Sequence, residues 1–188
     1  STLIASGINE ILVITTPKDL PLFKSLLLDG KQWGCSISYA TQNQPKGIAE
    51  AFLIAQDFIG KDNVSLILGD NIFYFPSLSS IVIPSIKSIG ASIFAYHVSD
   101  PSRYGVVEFN EQNKIMSIEE KPEKPKSNYA IPGFYFFDNN VVNYVKQLKP
   151  SPRGELEITD LIKKYHEQNL LNVIQMNKGT AWLDTGTV

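Results

Sequence analysis

The chain has 188 residues, of which 43% are hydrophobic and 19% are charged, and its formal net charge is −2. This is the composition of a globular domain with its own core, without the basic excess that nucleic acid binding needs or an apolar run of the ~18–20 residues that cross a membrane. The single cysteine, Cys35, cannot form an internal disulfide, which favours a reducing cytoplasm.

The first hundred residues alternate between strand and helix patterns. Runs of β-branched and apolar residues predict strands at 10–16, 35–41, 63–68 and 91–98. The segments between them have helical patterns and predict helices at 19–28, 47–59 and 78–89. The alternation predicts a parallel sheet that is covered by helices on both faces.

The pattern changes after residue 100. The segments 105–109 and 114–120 flank a polar turn and predict a β-hairpin. The rest of the chain predicts a strand at 129–138, helices at 139–149 and 157–168, and a strand at 172–176. Because the sequence contains no linker, repeat or low-complexity segment, residues 1–188 are predicted to form one domain, an α/β half followed by a mixed β half.

Two predicted strands end in an aspartate. The strand at 63–68 breaks into Gly69, Asp70 and Asn71, and the apolar stretch at 180–183 ends in Asp184. Open α/β sheets bind ligands at the carboxyl ends of their strands, although a turn or a helix cap would explain Asp70 equally well. Mg²⁺ commonly takes one or two carboxylates together with substrate phosphates. The two aspartates therefore suggest a shared magnesium site for phosphate-bearing substrates.

The sequence lacks the usual signatures of side-chain nucleophiles and metal hydrolases. It contains no nucleophile elbow, no GxxxxGK[ST] loop, no HExxH and no CxxC. A phosphate monoester needs no protein base to attack another phosphate, because its second pKa is about 6. The protein must then position the groups and neutralise their charge. Lys121 and Arg153 are the candidate cations, although either one alone resembles a solvated surface charge.

Two further short segments of the sequence are candidates for contact with a ligand. Tyr104 and Gly105 form a polar and aromatic segment that could contact a sugar. Alternatively, Tyr104 is a packing residue and Gly105 forms a turn. Gln42 and Gly47 lie in a polar loop before a predicted helix, where free N–H groups favour an anion or a base edge. An ordinary strand-to-helix loop would have the same residues.

Seven stretches of the chain together resemble one enzyme family. They are DGKQWG, QPKGIAEAF, LILGDNIFY, FAYHVSDPSRYGVVEF, SIEEKPEKPKSNYAIPGFYFFD, KPSPRGELEITD and GTAWLDTGT. In this order they resemble the sugar nucleotidylyltransferases, and within that family the enzymes that use dTTP and glucose 1-phosphate. The resemblance implies a Rossmann-like three-layer α/β/α nucleotide-diphospho-sugar transferase fold, with a mixed central sheet and an inserted β-hairpin region. It also implies a homotetramer and a place in dTDP-rhamnose biosynthesis.

The resemblance further implies a reaction. The phosphate of glucose 1-phosphate attacks the α-phosphorus of dTTP in line, giving dTDP-glucose and pyrophosphate, with Mg²⁺ as Lewis acid and template. The implied catalytic residues are Asp70 and Asp184, which would hold Mg²⁺, and Lys121 and Arg153, which would hold the sugar phosphate. Arg153 could fork two phosphate oxygens.

The resemblance assigns the remaining substrate contacts to two groups of residues. The thymine edge would be read by Gln42 and Gly47. Besides Asp70, Lys121 and Arg153, the sugar site would be lined by Asn71, Tyr104, Gly105, Glu120 and Ile131.

The sequence departs from the family pattern in several places. It contains no GGxGTRL loop, no essential lysine after such a loop and no helices beyond Asp184, and Phe75 stands where the family usually has glycine. We therefore expect the sequence to be a fragment of a longer protein. We expect little turnover from it alone, because single charge-stabilising groups contribute roughly 10²–10³ in rate. A missing first strand would leave a neighbouring sheet edge unpaired.

Two alternatives remain open at this point. The first is a uridylyltransferase or another sugar-1-phosphate nucleotidylyltransferase, because the thymine methyl is worth only about 1–3 kcal/mol of discrimination. The second is a non-catalytic module that binds a nucleotide sugar and has lost the triphosphate loop.

Overall fold

The structure is a computed structural model that describes residues 2–75, 85, 89–176 and 179–186. The first strands are β1 (Glu10–Thr15), β2 (Ser36–Thr41), β3 (Val64–Ile67), β4 (Asn71–Tyr74), β5 (Ala91–His97) and β6 (Gly105–Phe109). The later strands are β7 (Ile115–Glu120), β8 (Tyr129–Ala130), β9 (Phe134–Phe137), β10 (Leu171–Gln175) and β11 (Ala181–Asp184). The helices are α1 (Thr2–Ala5), α2 (Leu20–Leu27), α3 (Glu50–Ile54), α4 (Gln56–Ile59), α5 (Val141–Val145) and α6 (Ile158–Glu167). The helix predicted at 78–89 falls outside the described residues, apart from Ser85 and Ile89.

The main sheet is mixed, with the strand order β3-β9-β5-β8-β6-β7, and β10 also pairs with β5. β10 runs parallel to β5, whereas β9 lies between β3 and β5 and is antiparallel to both. The prediction of a parallel sheet in the first half of the chain is therefore wrong at this point, because a strand from the second half separates β3 from β5. The mixed sheet implied by the family resemblance is confirmed.

The centre of this sheet is apolar on both faces. On β9, Tyr135 and Phe137 belong to one buried cluster, while Phe134 and Phe136 belong to another. The first cluster includes the apolar face of α6, and the second includes Trp182 of β11. Strands buried on both faces require such continuous apolar runs, and the two clusters give the layered α/β architecture that the sequence predicts.

The strand predicted at 129–138 is two strands, β8 and β9, separated by residues 131–133. Pro132 interrupts it because proline has no N–H to donate to the ladder. Gly133 passes close to the end of β3, where an added Cβ would lie 2.6 Å from Leu68 Cγ and 2.9 Å from Asn71 Oδ1. This interruption brings Ile131 and Gly133 to the edge of the sheet where the site lies.

The helix predicted at 47–59 is also two elements, α3 and α4, which meet at Ala55. It begins at Glu50 rather than at Gly47, because Gly47 has a φ of 97° and cannot be part of a right-handed helix. Gly47 is therefore the corner of the loop that leads from β2 into α3.

β1 and β3 do not pair with each other. β1 pairs with β2 in a separate parallel ladder, and a cavity of about 470 Å³ lies between residues 10–14 of β1 and residues 64–67 of β3. Each of these strands has one edge without a strand partner among the described residues, which agrees with the expected unpaired edge. None of the helices in the described part of the chain is long and apolar enough to cross a membrane.

Candidate active site

A cavity of about 240 Å³ opens where β3, β7, β8 and β11 end. Nine of the eleven predicted site residues line it, namely Asp70, Asn71, Tyr104, Gly105, Glu120, Lys121, Ile131, Arg153 and Asp184. The other two, Gln42 and Gly47, lie outside it, but the cavity beside β1 that Gln42 lines shares Ile48 and Leu68 with this one. The structure therefore brings the predicted residues into one region.

The β4–β11 ladder brings the two aspartates together. β4 and β11 are antiparallel, with Asn71 opposite Asp184, and both the N–H and the hydroxyl of Thr185 donate to the backbone oxygen of Asp70, at 2.9 and 2.8 Å. A Cβ added to Gly186 would collide with Asp70 Oδ2 and lie 3.4 Å from Asp184 Oδ1. Both carboxylates thus face one space beside Gly186. Of the two alternatives for Asp70, the helix cap is wrong, because the strand β4 follows it, whereas the turn is present at residues 69–70.

The aspartates fit Mg²⁺ only as a partial ligand set. Among the described residues there is no group of three or more His, Cys, Asp or Glu that could hold a metal ion. Asp70 is exposed and Asp184 is half-buried, so both carboxylates remain accessible to a ligand. Two carboxylates completed by substrate phosphates and waters are a common Mg²⁺ environment. The donor set therefore fits an ion that binds together with its substrate.

Asn71 orients the first of these carboxylates. Its Nδ2 donates to Asp70 Oδ1 at 2.8 Å, and its Oδ1 accepts hydrogen bonds from Trp182 Nε1 at 2.7 Å and Gly133 N at 3.0 Å. The amide oxygen is therefore engaged in holding β4, β11 and the β8–β9 connection together. Its predicted place in the sugar site stays a prediction.

The open end of the β6–β7 hairpin supplies a second wall. Gly105 pairs with Glu120, and the Lys121 N–H donates to the Tyr104 carbonyl at 3.0 Å. Lys121 has a φ of 41°, which is unusual for a residue with a side chain and common at functional sites. Burial and, next, the nearby Asp184 carboxylate raise the pKa of Tyr104, so its hydroxyl remains protonated at neutral pH.

Arg153 is held by carboxylates. Its guanidinium forms a bidentate ion pair with Glu157, in which Nη2 lies 3.0 Å from Oε1 and 2.9 Å from Oε2, and Nε lies 3.2 Å from Oε1. Nη2 also lies 3.5 Å from a carboxylate oxygen of Glu155 and 3.7 Å from one of Glu120. The hydroxyl of Ser151 also donates to Glu157, at 2.7 Å. The Glu157 carboxylate raises the pKa of Arg153. A sugar phosphate that binds Arg153 would have to share the guanidinium with Glu157 or displace Glu157 from it.

Several residues that line the cavity were not predicted, and they include Arg103, Tyr135, Glu155, Glu157, Thr159 and Trp182. Trp182 could have been inferred, because it lies two residues before Asp184 on a strand and so shares its face. The role of Glu157 depends on the conformation of the loop at 151–156, for which the sequence pattern gives no signal.

The predicted base-reading loop is bonded to the loop that carries Arg153. Gln42 Nε2 donates to the Gly47 carbonyl at 3.2 Å and to Glu50 Oε2 at 2.7 Å. The Leu156 N–H donates to the Lys46 carbonyl at 2.7 Å, and the Leu156 carbonyl accepts from Ala49 N at 3.2 Å. The two loops therefore form one rigid connection between the two cavities.

Comparison with known families gives a match along the whole chain. The nucleotidyl transferase family model matches residues 1–188. The chain belongs to the nucleotidyl transferase family. This assignment agrees with the family expected from the seven sequence stretches.

Two curated relatives of this chain share one name. Glucose-1-phosphate thymidylyltransferases from Neisseria meningitidis and Mycolicibacterium smegmatis are each 54% identical to it, over 188 and 187 residues. These matches cover 100% of this chain but only 65% of each relative, so the chain spans about two thirds of their length.

Solved structures confirm the fold of this chain. A protein described as a glucose-1-phosphate thymidylyltransferase from Bacillus anthracis, in complex with sucrose, is 39% identical and superposes with a TM-score of 0.89 over 99% of this chain and 74% of that one. A UDP-glucose pyrophosphorylase in complex with UDP-glucose is 23% identical, with a TM-score of 0.82 over 99% of this chain and 79% of that one. The second likeness concerns the fold alone.

The half-buried carboxyl group of Glu120 is expected to make a pH-dependent contribution to the stability of this chain. Burial raises the pKa of Glu120 above its ordinary value of 4.5. The folded state thus favours the protonated form, and the free energy of unfolding falls as the pH rises from that ordinary value through the raised one. Glu120→Gln is expected to be more stable than the parent at pH 7, and equally stable near pH ~4.

Urea unfolding at the two pH values measures this difference. Glu111→Gln, in the exposed hairpin turn, is the matched control and should show no difference at either pH. A Glu120→Gln protein that is destabilised equally at both pH values would contradict the assigned effect of burial.

Proposed function

We propose that this protein transfers the thymidylyl group of dTTP to glucose 1-phosphate, giving dTDP-glucose and pyrophosphate. The observation that carries the proposal is the cavity that collects Asp70 and Asp184 together with Lys121 and Arg153. It occurs in a chain that is 54% identical, over its full length, to proteins named glucose-1-phosphate thymidylyltransferase. Two carboxylates beside two cations suit a reaction between phosphates.

The proposed mechanism needs no side-chain nucleophile or base. The sugar phosphate is largely a dianion at neutral pH, because its second pKa is about 6, and it attacks the α-phosphorus as pyrophosphate leaves. Lys121 and Arg153 bind the sugar phosphate and offset its charge as it approaches the triphosphate. Asp70 and Asp184 would hold Mg²⁺, which supplies Lewis-acid stabilisation of the charge at the reacting phosphate.

The sugar is proposed to lie between the hairpin end and the β8–β9 connection. Glu120 offers carboxylate oxygens to sugar hydroxyls, and the protonated Tyr104 offers a donor or an acceptor. Gly105 lets the end of the hairpin pack closely against Thr159, because an added Cβ at Gly105 would lie 2.8 Å from Thr159 Cγ2. Ile131 supplies an apolar surface, and its N–H is already bonded to the Gly105 carbonyl at 2.8 Å.

The base is proposed to bind at Gln42 and Gly47. Among the described residues, no partner occupies Gln42 Oε1 or the Gly47 N–H. This acceptor and donor complement the N3–H and the O4 of thymine. Uracil has the same two groups, so a uridylyltransferase is the second candidate.

The proposed context is the reducing cytoplasm, which is consistent with the single, buried and free Cys35. The homotetramer and the place in dTDP-rhamnose biosynthesis rest on the family resemblance alone and stay predictions.

Product formation under single-turnover conditions tests the proposal. The protein in excess over dTTP, with Mg²⁺ and glucose 1-phosphate, is expected to yield dTDP-glucose and pyrophosphate in equal amounts and only when all components are present. Faster product formation from UTP would favour the uridylyltransferase. Tight binding of dTDP-glucose without any product formation would favour the non-catalytic module.

A further inference from the structure

We propose that Glu50 determines the base specificity of the site. It does so by fixing the orientation of the Gln42 amide, so that the site accepts pyrimidines with an N–H at ring position 3 and rejects cytosine. This inference rests on the proposed function in one respect, namely that Gln42 reads the base. Glu50 itself acts as a positioning residue and contacts Gln42 rather than the nucleotide.

The orientation of Gln42 follows from the groups around its amide. Its Nε2 lies 2.7 Å from Glu50 Oε2 and 3.2 Å from the Gly47 carbonyl oxygen. A carbonyl and an ionised carboxylate can only accept hydrogen bonds. A flipped amide would place Gln42 Oε1 against the Gly47 carbonyl and the Glu50 carboxylate, and no proton would be available to form a hydrogen bond with either oxygen. The network therefore specifies one orientation of the amide, and the shorter, charge-assisted bond comes from Glu50.

The carboxylate of Glu50 is itself held in place. Glu50 is the first residue of α3, and its N–H donates to the same Gly47 carbonyl at 3.3 Å. The preceding residue is tied to the neighbouring loop by the bond from Ala49 N to the Leu156 carbonyl. Gln42 continues the β1–β2 ladder, because its N–H donates to the Thr15 carbonyl at 2.9 Å. Both partners of the bond thus project from fixed backbone.

The fixed orientation gives the site a definite hydrogen-bonding pattern. Gln42 Oε1 is left as an acceptor, and the Gly47 N–H as a donor, with neither engaged by the described part of the chain. Thymine and uracil offer the complementary donor at N3 and acceptor at O4. Cytosine offers the reverse, with an unprotonated N3 and an amine at position 4. With cytosine, the acceptor Gln42 Oε1 would face the acceptor N3, and the donor Gly47 N–H would face the donor amine at position 4. Neither pair forms a hydrogen bond, so these groups oppose the binding of cytosine.

UDP-glucose and CDP-glucose are the probes that isolate this effect, because they differ only at N3 and position 4 of the pyrimidine. Calorimetric titration in the presence of Mg²⁺ is expected to show that the parent protein prefers UDP-glucose by about tenfold or more. Glu50→Ala, which removes the acceptor, and Glu50→Lys, which presents only N–H donors to Gln42, are each expected to lower this preference by about fivefold or more.

Glu167→Gln, at the exposed end of α6, is the matched control and should leave the preference unchanged. Melting temperatures identify which of the two Glu50 variants is folded and can be used. A preference that stays within twofold of the parent value in a folded Glu50 variant would overturn the inference. A parent protein that binds both probes equally, or neither of them, would overturn it too while leaving the proposed function intact, whereas a parent protein that also fails to bind dTDP-glucose would overturn both.

Discussion

Replacing Asp184 by asparagine is expected to lower the rate of dTDP-glucose formation by about 10²–10³, the range for removing one charge-stabilising group, and to abolish the dependence of dTDP-glucose affinity on Mg²⁺. The substitution removes charge but keeps Oδ1, which accepts a hydrogen bond from the Gly186 N–H at 3.1 Å. Asp70→Asn should act in the same way, because it preserves the oxygen that accepts from Asn71 Nδ2. Single-turnover rates and titrations with and without Mg²⁺ measure the two effects.

The control for both variants is Asp57→Asn, on the exposed surface of α4, which makes the same chemical change away from the cavity. Its rate and its Mg²⁺ dependence should equal those of the parent. If Asp184→Asn and Asp70→Asn both bound dTDP-glucose with the parental Mg²⁺ dependence, the two aspartates would not be the metal ligands.

Gly47→Ala is expected to lower the free energy of unfolding by about 2–5 kcal/mol and to abolish base recognition. A Cβ at this position would collide with the Leu156 carbonyl oxygen and lie 2.6 Å from Leu156 N. The residue also has a φ of 97°. A left-handed conformation costs about 1–2 kcal/mol for a residue with a side chain, and the overlap adds about 1–3 kcal/mol. Urea unfolding measures the sum.

Gly34→Ala separates the two contributions. Gly34 has a φ of 71°, but an added Cβ there has no heavy atom within 4 Å. It should therefore lose only the conformational part, about 1–2 kcal/mol. Equal losses for the two variants would show that the loop of Gly47 moves away from Leu156 freely, and that the two loops are not rigidly connected.

The predicted site residues come together because most of them lie at the ends of predicted strands. Asp70 follows β3, Glu120 ends β7 and Asp184 ends β11, and local sequence patterns identify short apolar strands that are followed by polar or turn residues. What the sequence could not supply was the pairing of β4 with β11, which sets Asn71 opposite Asp184. Such long-range registers have no local signature, so the meeting of the two carboxylates was only a hypothesis before the structure.

The errors in the predicted sheet have the same origin. The alternation of strands and helices predicts parallel neighbours, yet β9 enters between β3 and β5 from a distant part of the chain. Its continuous apolar run, Phe134–Phe137, is compatible with any central position in a sheet. Pro132 was a local signal for the break before it, because a proline is not expected inside a central strand.

The side chains that hold the predicted residues were harder to foresee. Glu157 forms a bidentate ion pair with Arg153, and Glu50 accepts a hydrogen bond from Gln42. Each pair is formed by a loop whose conformation depends on a left-handed glycine, Gly154 or Gly47. Sequence motifs identified the residue expected to touch the substrate, whereas the residue that orients it became visible only in the structure.

The central claim is that the cavity of Asp70 and Asp184 and the adjoining cavity at Gln42 together bind a nucleotide, a sugar phosphate and a divalent cation. Its most direct test is the affinity of the protein for dTDP-glucose, compared with dTDP and with glucose 1-phosphate, at saturating Mg²⁺ and in EDTA. We expect dTDP-glucose to bind more tightly than either fragment, and to lose most of this affinity in EDTA. Equal affinities for dTDP-glucose and dTDP, unaffected by EDTA, would contradict the claim, because neither the sugar nor the metal would then contribute to binding.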